Sequence, residues 1–163
     1  MGSRSKIEKE VERAYIAGFL DGDGSLMLQI KKRKDGKTGL RFMSTICFYQ
    51  DTRHAKDLNW VKEVLGIGYI SKRNDGMSEL RVNGYDSVKN IIEFLSPYLR
   101  FKKIQAEALF KACSILSSKK FKMLDKKDLI KIVDLILTIQ HENYVTKRKK
   151  TKTELLKILG LTP

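Results

Sequence analysis

The stretch from Tyr15 to Gly24 constrains the fold more than any other part of the sequence. Apolar residues recur at intervals of three and four up to this point, which predicts an amphipathic helix over residues 6–21. From Ser25 the interval becomes two, which is typical of a strand. A glycine inside a helix costs about 1 kcal/mol relative to alanine, so glycines four apart on one face predict a close contact of that face with another element. The apolar stripe comprises Ile7, Val11, Ala14, Tyr15, Gly18 and Phe19, and the small residues four apart are Ala14, Gly18 and Gly22.

The predicted helix ends with two carboxylates, Asp21 and Asp23, separated by a single glycine. The C-terminus of a helix carries a partial negative charge, so carboxylates are disfavoured there unless a cation is close. The pattern therefore indicates a metal site at the helix end. A plain turn, with Asp21 hydrogen-bonded to local backbone, is the alternative that the residues alone leave open.

Charge is the strongest compositional signal, because the 163-residue chain has 33 lysines and arginines, 19 aspartates and glutamates, and a formal net charge of +14. Such an excess favours a polyanionic partner, and nucleic acid in particular. A solvated lysine-rich surface is the alternative, but proteins with such surfaces usually balance lysine with glutamate. The length fits one domain, predicted to span residues 1–163.

The composition argues against a membrane or secreted protein. No apolar run approaches the roughly 20 residues that a membrane span requires. The N-terminal residues are polar and basic, without the apolar segment of a signal peptide. We therefore expect an intracellular protein, in the cytoplasm or in an organelle or nucleoid, and no membrane partner. Cys47 and Cys113 are predicted to be reduced and buried.

The order of periodic segments predicts an α+β fold with two β-hairpins. In order, the segments are the first helix, a hairpin with its tip at residues 32–39, a helix starting at residues 50–52, a hairpin turning at residues 74–76, and a helix capped by Asp86 or Ser87. Beyond Pro97 apolar stripes predict further helices, one of them capped near Asp125 or Asp128. A basic linker over residues 146–152 is either solvated or bound to a phosphate backbone.

Alternation along the predicted strands separates an apolar face, covered by helices, from a polar face. Arginine and lysine read guanine in the major groove of DNA, and glutamine reads adenine. An acidic pair beside such a face suggests a nuclease, because phosphodiester hydrolysis can use metal ions bound by carboxylates. The polar face presents Gln29, Lys31, Arg33, Arg41, Arg73 and Arg81.

The segment Ile16-Ala17-Gly18-Phe19-Leu20-Asp21-Gly22-Asp23-Gly24 resembles the LAGLIDADG motif of homing endonucleases. It has Ile for the first Leu, Phe for the second, and Gly for the Ala between the aspartates. The order of elements is similar to the αββαββα core of that family, from about residue 6 to about residue 116, with a helical extension over about 117–163. Only one motif is visible, as in the single-motif branch whose members act as homodimers.

The resemblance implies a site-specific double-stranded DNA endonuclease that reads a long pseudo-palindromic target with a saddle-shaped antiparallel sheet. It implies hydrolysis with Mg²⁺, for which Mn²⁺ is a possible substitute, and no small-molecule cofactor. Two other functions stay open at this point. One is an RNA-binding intron maturase, and the other is a non-cleaving DNA-binding protein of the same fold.

The family's functional residues carry over onto matching positions of this chain. The resemblance implies Asp23 and the Gly22 carbonyl as metal ligands, and it gives Asp21 a structural role at the helix end. The implied catalytic residues are Asp23, Gln50, Lys102 and His54, with Arg53 as the alternative to His54. The implied DNA contacts are Ser25, Gln29, Lys31, Arg33, Arg41, Met43, Thr45, Ser71, Arg73, Glu79 and Arg81. The implied dimer interface comprises Ala14, Ala17, Gly18, Asp21 and Gly22.

Overall fold

The computed structural model describes residues 5–35, 39–144 and 147–161. The αββαββα order of the prediction is present, and three further helices follow it. The helices are α1 (Lys6–Asp23), α2 (Lys56–Leu65), α3 (Tyr85–Leu95), α4 (Lys103–Ser118), α5 (Lys126–Glu142) and α6 (Lys152–Ile158); the strands are β1 (Gly24–Lys32), β2 (Leu40–Asp51), β3 (Tyr69–Lys72) and β4 (Met77–Asn83). The division into a core and an extension stays a prediction, and α4 packs against α3 as the first helix beyond the seven elements.

Three helices begin with capping boxes that the sequence encodes locally. The Ser5 hydroxyl accepts a hydrogen bond from the Glu8 N–H, and the Glu8 carboxylate accepts one from the Ser5 N–H. Thr151 and Glu154 repeat this arrangement at α6. At α5 the box comprises Asp125 and Asp128, so both candidate caps of the prediction take part.

Two predicted helix starts are wrong. The segment at residues 50–52 does not begin α2, because β2 continues to Asp51 and a short 3₁₀ turn, Thr52–His54, precedes the helix. Helix α3 begins before Asp86 and Ser87, since the N-cap is Gly84 with φ of 98°. A positive φ of this kind is accessible to glycine at no steric cost.

The four strands form one antiparallel sheet in the order β1-β2-β4-β3. Residues directly opposite each other share a face, so the register fixes which side chains lie together. On the inner face Leu26 pairs with Ile46, and Phe48 pairs with Leu80. Helices α1 to α5 contact the strands, and these four side chains are completely buried. The other surface of the sheet is called the outer face below.

Both cysteines are free thiols in the interior, as predicted. Burial raises the pKa of the Cys113 thiol to about 11 and raises that of Cys47 as well. Neither thiol therefore ionises readily near neutral pH. Among residues 5–35, 39–144 and 147–161, no helix is long and apolar enough to cross a membrane.

Helix α1 has two apolar faces. Its buried face packs into the core and comprises Ile16, Ala17, Leu20 and Asp21. Its open face holds most of the predicted apolar stripe, and there Ile7 is 73%, Val11 62% and Tyr15 67% exposed. Gly18 and Gly22 lie on this open face, and an added Cβ at either would meet no atom within 4 Å in the described part of the chain. The close contact predicted from these glycines is therefore not made by the described residues of one chain.

Candidate active site

The acidic pair lies at a direct junction between helix and strand, because α1 ends at Asp23 and β1 begins at Gly24. The Gly24 N–H donates to the Leu20 carbonyl and closes the helix. A Cβ at Gly24 would lie 2.4 Å from Leu20 Cδ1 and 2.7 Å from the Leu20 oxygen. Glycine is therefore required at this position for the strand to leave the helix without a connecting loop.

Asp21 is buried and fully hydrogen-bonded by its own chain. Its Oδ2 accepts from the Arg100 N–H at 2.7 Å, and its Oδ1 accepts from the Lys102 N–H at 2.9 Å. The Lys102 ammonium donates to the Asp21 carbonyl oxygen. Lys102 is thus a cation beside Asp21 at this helix end, and the bonds of Asp21 to the distant Arg100 and Lys102 are consistent with a structural role.

Two residues of the predicted dimer interface are not on the surface. Ala17 is 0% and Asp21 7% exposed, because both belong to the buried face of α1. Their assignment to the interface is wrong, since a partner could not contact them without opening the core. Gly18 and Gly22 are exposed, and Ala14 is partly exposed.

The Asp23 side chain differs from that of Asp21, since it is exposed and its carboxylate has no hydrogen bond or ion pair within the part of the chain that the structure describes. It lies between two cavities. The sheet-side cavity, of about 420 Å³, is lined by Gly22, Asp23, Ser25, Tyr49, Arg73 and Lys102 among others. The helix-side cavity, of about 570 Å³, is lined by Val11, Tyr15, Asp23, Gln50, Asp57 and Trp60 among others.

The structure brings Lys102 into the sheet-side cavity with Asp23. Lys102 is only 8% exposed. Burial lowers the pKa of its ammonium group from the ordinary value of 10.5, and the Asp21 and Asp23 carboxylates oppose that effect. A cation held in this way beside an exposed carboxylate can contact a phosphate bound between them.

Gln50 shares the helix-side cavity with Asp23, and its Oε1 accepts from the Asp51 N–H at 2.9 Å. Arg53 and His54 follow in the exposed 3₁₀ turn and border neither cavity. Arg53 donates twice to the Asp51 carboxylate, which lowers the pKa of that carboxyl to about 2. The catalytic roles of Gln50, Lys102 and His54 stay predictions, and His54 is the one that the fold does not place beside Asp23.

The donor set at the helix end fits a hard divalent cation. Mg²⁺ prefers oxygen ligands and usually takes one or two carboxylates, with water and phosphate completing its shell. The exposed Asp23 carboxylate and the neighbouring Gly22 carbonyl supply such oxygens. Over the described ranges no group of three or more His, Cys, Asp or Glu could hold a metal, so the described part of one chain offers no closed cage of such ligands.

The outer face collects the predicted DNA-contacting residues. Nine of them lie on strands with their outward alternation intact, and Arg33 and Arg73 follow directly after β1 and β3. Glu79 Oε1 accepts from Arg81 Nε at 3.1 Å and from Nη2 at 2.9 Å, and the Ser71 hydroxyl donates to it at 3.4 Å. Arg81 is therefore held in one orientation before any ligand binds.

Thr45 is the exception among these residues. It is 0% exposed, and its hydroxyl donates to Asn83 Oδ1 at 2.8 Å. Its assignment as a direct contact is wrong, because the side chain is covered and supports Asn83 instead. Contact of the remaining ten residues with DNA stays a prediction.

A family model described as LAGLIDADG endonuclease matches residues 16–114 of the chain. The chain belongs to this family. The DNA endonuclease I-CvuI of Chlorella vulgaris is 34% identical over 111 residues, which are 68% of this chain and 69% of that relative. The DNA endonuclease I-CreI of Chlamydomonas reinhardtii is 31% identical over 106 residues, which are 65% of this chain and 64% of that relative.

The fold agrees with that of a LAGLIDADG enzyme bound to DNA. A crystal structure of I-CvuI with the I-CreI target, in the presence of 2 mM Mg and with the DNA not cleaved, superimposes with a TM-score of 0.84. The sequence identity is 28%, and the match covers 95% of this chain and 96% of that chain. The predicted family and the predicted α+β architecture are confirmed.

Two tyrosines of the outer face were not among the predicted DNA contacts. Tyr49 lines the sheet-side cavity, and its hydroxyl lies 2.9 Å from the Ser25 hydroxyl. Tyr69 is 50% exposed and its hydroxyl accepts from Asn83 Nδ2 at 3.2 Å. Tyr69 and Ser71 are two residues apart on β3 and share a face, so the alternation that placed Ser71 there could also have found Tyr69.

The basic linker lies beside the β1 edge of the sheet. The Lys150 N–H donates to Gln140 Oε1 at 2.8 Å, and Lys149 Nζ donates to the His141 carbonyl at 3.3 Å. Arg148 and Lys150 border a third cavity, of about 210 Å³, between β1 and α5. Residue 146 of the predicted linker lies outside the described residues, and so does the centre of the first hairpin tip, residues 36–38.

Proposed function

We propose that the protein is a site-specific endonuclease that cleaves double-stranded DNA as a homodimer, by hydrolysis that uses Mg²⁺ at Asp23. One observation carries the proposal: the exposed Asp23 carboxylate lies where the outer face of the sheet meets the open face of α1. One surface suits DNA and the other suits a second subunit. The relatives I-CvuI and I-CreI are DNA endonucleases, and I-CvuI has been crystallised with target DNA in the presence of 2 mM Mg or 2 mM Ca.

The outer face supports the DNA-binding part of the proposal. The chain has a net charge of +14, and DNA affinity rises with the number of phosphates that lysines and arginines neutralise. Arg81 is held by Glu79, and the Arg73 guanidinium lies 5.8 Å from the centre of the Tyr49 ring. Such fixed arginines suit bidentate recognition of guanine in the major groove.

The open face of α1 supports the homodimer. Ile7, Val11 and Tyr15 form an exposed apolar row on a helix, and the glycines beside it leave room for the backbone of a second helix. A two-fold pair of α1 helices joined along this face would bring both Asp23 residues near the axis. Two-fold symmetry of the protein in turn predicts a pseudo-palindromic target.

Each side chain of the site has a defined task in this proposal. The Asp23 carboxylate and the Gly22 carbonyl hold the divalent cation, which when bound polarises the scissile phosphate and lowers the pKa of water. The Lys102 ammonium donates to a phosphate oxygen and stabilises the charge that develops there. The Gln50 amide orients a water molecule in the helix-side cavity. His54 or Arg53 contacts a flanking phosphate from the turn after β2.

This function can be tested by incubating the 163-residue protein and Mg²⁺ with a random double-stranded DNA library and selecting the cleaved sites. We expect one long pseudo-palindromic sequence to be enriched, with Mn²⁺ able to replace Mg²⁺ and with chelator abolishing cleavage. Binding of that target should weaken with salt, with a log–log slope of about 0.9 per phosphate neutralised. No enrichment with either ion, or tighter binding of a competing structured RNA, would favour the maturase or the non-cleaving protein instead.

A further inference from the structure

Asp21 of α1 is hydrogen-bonded to the loop before α4. Three hydrogen bonds make this connection: both carboxylate oxygens accept backbone N–H groups of the loop, and the carbonyl accepts from the Lys102 ammonium. Leu99 is 3% exposed and anchors the start of the loop, and Lys102, 8% exposed, anchors its end. Phe101 lies between them and is 85% exposed, so the loop has no apolar anchor at that position.

These contacts hold Lys102 at two points, its backbone and its side chain. One carboxylate oxygen of Asp21 holds the backbone of Lys102, and the Asp21 carbonyl holds its head group. A lysine ammonium on a flexible stem is otherwise free to adopt many orientations. Asp21 and Asp23 belong to the same continuous helix, so every restraint on Lys102 is also a restraint relative to Asp23.

We infer that Asp21 is a positioning residue, which holds the Lys102 ammonium at the phosphate-binding end of the sheet-side cavity beside Asp23. The inference rests on the proposed function. This role goes beyond stabilising the fold, because Asp21 directly binds the Lys102 ammonium, which is the cationic group of the site. Cleavage should therefore depend on Asp21 through Lys102, whereas affinity for DNA should not, since Asp21 is buried and both its carboxylate oxygens are bonded to the loop.

The free protein provides the first test, by amide hydrogen exchange. In Asp21→Asn, the side-chain amide can accept one loop N–H through its oxygen, but its NH₂ group opposes the second. We expect the Arg100 and Lys102 amides to lose protection in this variant. They should keep it in Val133→Ala, a core substitution on α5 that controls for lost stability. Unchanged protection of both amides in Asp21→Asn would overturn the inference whether or not the protein cleaves DNA.

Single-turnover cleavage of the selected target provides the second test. We expect Asp21→Asn to slow cleavage by about 10²-fold, as for a misplaced catalytic group, with unchanged affinity for the target in Ca²⁺. Lys102→Met should slow cleavage at least as much, and adding Asp21→Asn to it should have no further effect. If the two effects multiply, or if Asp21→Asn cleaves at the wild-type rate, Asp21 does not act through Lys102.

A second variant covers poor folding of Asp21→Asn. Arg100→Pro removes the N–H that donates to Asp21 Oδ2 and leaves α1 unchanged, and Leu99 already has the extended ψ of 139° that a following proline favours. Arg100→Pro should slow cleavage although it removes no side-chain contact of the cavity. Normal cleavage by this variant would contradict the inference. If the wild-type protein enriches no DNA in the library selection, the proposed function fails. The exchange experiment still decides whether Asp21 holds the loop before α4.

Discussion

The two faces of α1 carry similar residues and have opposite tasks. On the buried face Ile16, Ala17 and Leu20 pack into the core, and the face ends in Asp21 with all its acceptors used. On the open face an apolar row is exposed, and that face ends in Gly22 and in Asp23, whose carboxylate has no bond to the described residues. A carboxylate that is satisfied by its own chain stabilises the fold. One that is left exposed at the end of the open face is available for a cation.

The comparison also separates the glycines of the motif. Gly24 is enclosed, because a Cβ there would overlap Leu20. Gly18 and Gly22 have open space around them, although all three lie in one heptad of sequence. Glycine is thus needed at Gly24 to avoid a clash within the chain. At Gly18 and Gly22 it leaves room for a second subunit. The contrast between the two faces of α1 can be tested at four positions, from the largest expected effect to the smallest.

The sharpest contrast is between the two aspartates, and Asp23→Asn should lower the cleavage rate by about 10³-fold. Loss of a metal ligand removes several kcal/mol of transition-state stabilisation, and about 1.4 kcal/mol corresponds to a factor of ten. Specific DNA binding and the melting temperature should change little, because Asp23 is exposed and its carboxylate accepts no hydrogen bond from the described residues. Cleavage in Mg²⁺, target binding in Ca²⁺ and thermal melting measure these three quantities. A variant that cuts normally would show that Asp23 is not the ligand.

Truncation on the buried face should affect the fold rather than the chemistry. Leu20→Ala should lower the free energy of unfolding by about 2–5 kcal/mol, since Leu20 is 0% exposed and its removal leaves a cavity in the core. Val11→Ala is the matched control on the open face and should change that free energy by about 0.5 kcal/mol or less. Urea denaturation at one low protein concentration gives both values. Equal losses in the two variants would mean that the open face is also covered within the chain.

Gly24→Ala should lower the free energy of unfolding by about 1–3 kcal/mol, as overpacking of a tight site does. The new methyl group would meet the Leu20 backbone, which cannot move without disturbing the end of α1. Gly22→Ala is the control, because its Cβ has open space inside the chain. Circular-dichroism melts compare the two variants. If Gly22→Ala is the more damaging in a monomeric sample, the difference between enclosed and open glycines is not as the structure describes it.

The smallest effect is expected at Gly18, where alanine should stabilise the isolated subunit by about 1 kcal/mol through helix propensity. The same methyl group should weaken the dimer by about tenfold in Kd, because about 1.4 kcal/mol of lost contact has that effect. Sedimentation equilibrium measures the dimer and urea denaturation measures the subunit. Asn90→Ala on the exposed surface of α3 is the control, which should aid its helix without changing association. A dimer unaffected by Gly18→Ala would place the interface elsewhere.

Much of the architecture was predictable because it depends on local periodicity. A period of 3.6 changing to a period of two located the junction of α1 and β1 within a few residues, and alternation assigned Gln29 and Arg81 to the same face. The helix start at residues 50–52 was wrong for a non-local reason. Asp51 pairs with Met77 of β4, and this pairing extends β2 through residues whose sequence resembles a helix cap.

The candidate site divides in the same way. The resemblance of residues 16–24 to a motif predicted Asp23 as a metal ligand without any coordinates, because both aspartates and their spacing are visible in the sequence. The burial of Thr45 was not visible, since it follows from Asn83 on a neighbouring strand, 38 residues away. Ala17 and Gly18 adjoin in sequence, and only packing against the core decided that one is buried and the other exposed.

The sequence by itself determined the periods of the elements, the polar character of the outer face, the excess of positive charge and the acidic end of α1. These properties belong to single residues and their near neighbours. The tertiary structure alone decided that Asp21 serves the fold and Asp23 remains exposed. The physical reason is that the donors to Asp21 come from Arg100 and Lys102, 79 and 81 residues away, and reach it only after α1 and the loop before α4 have packed together.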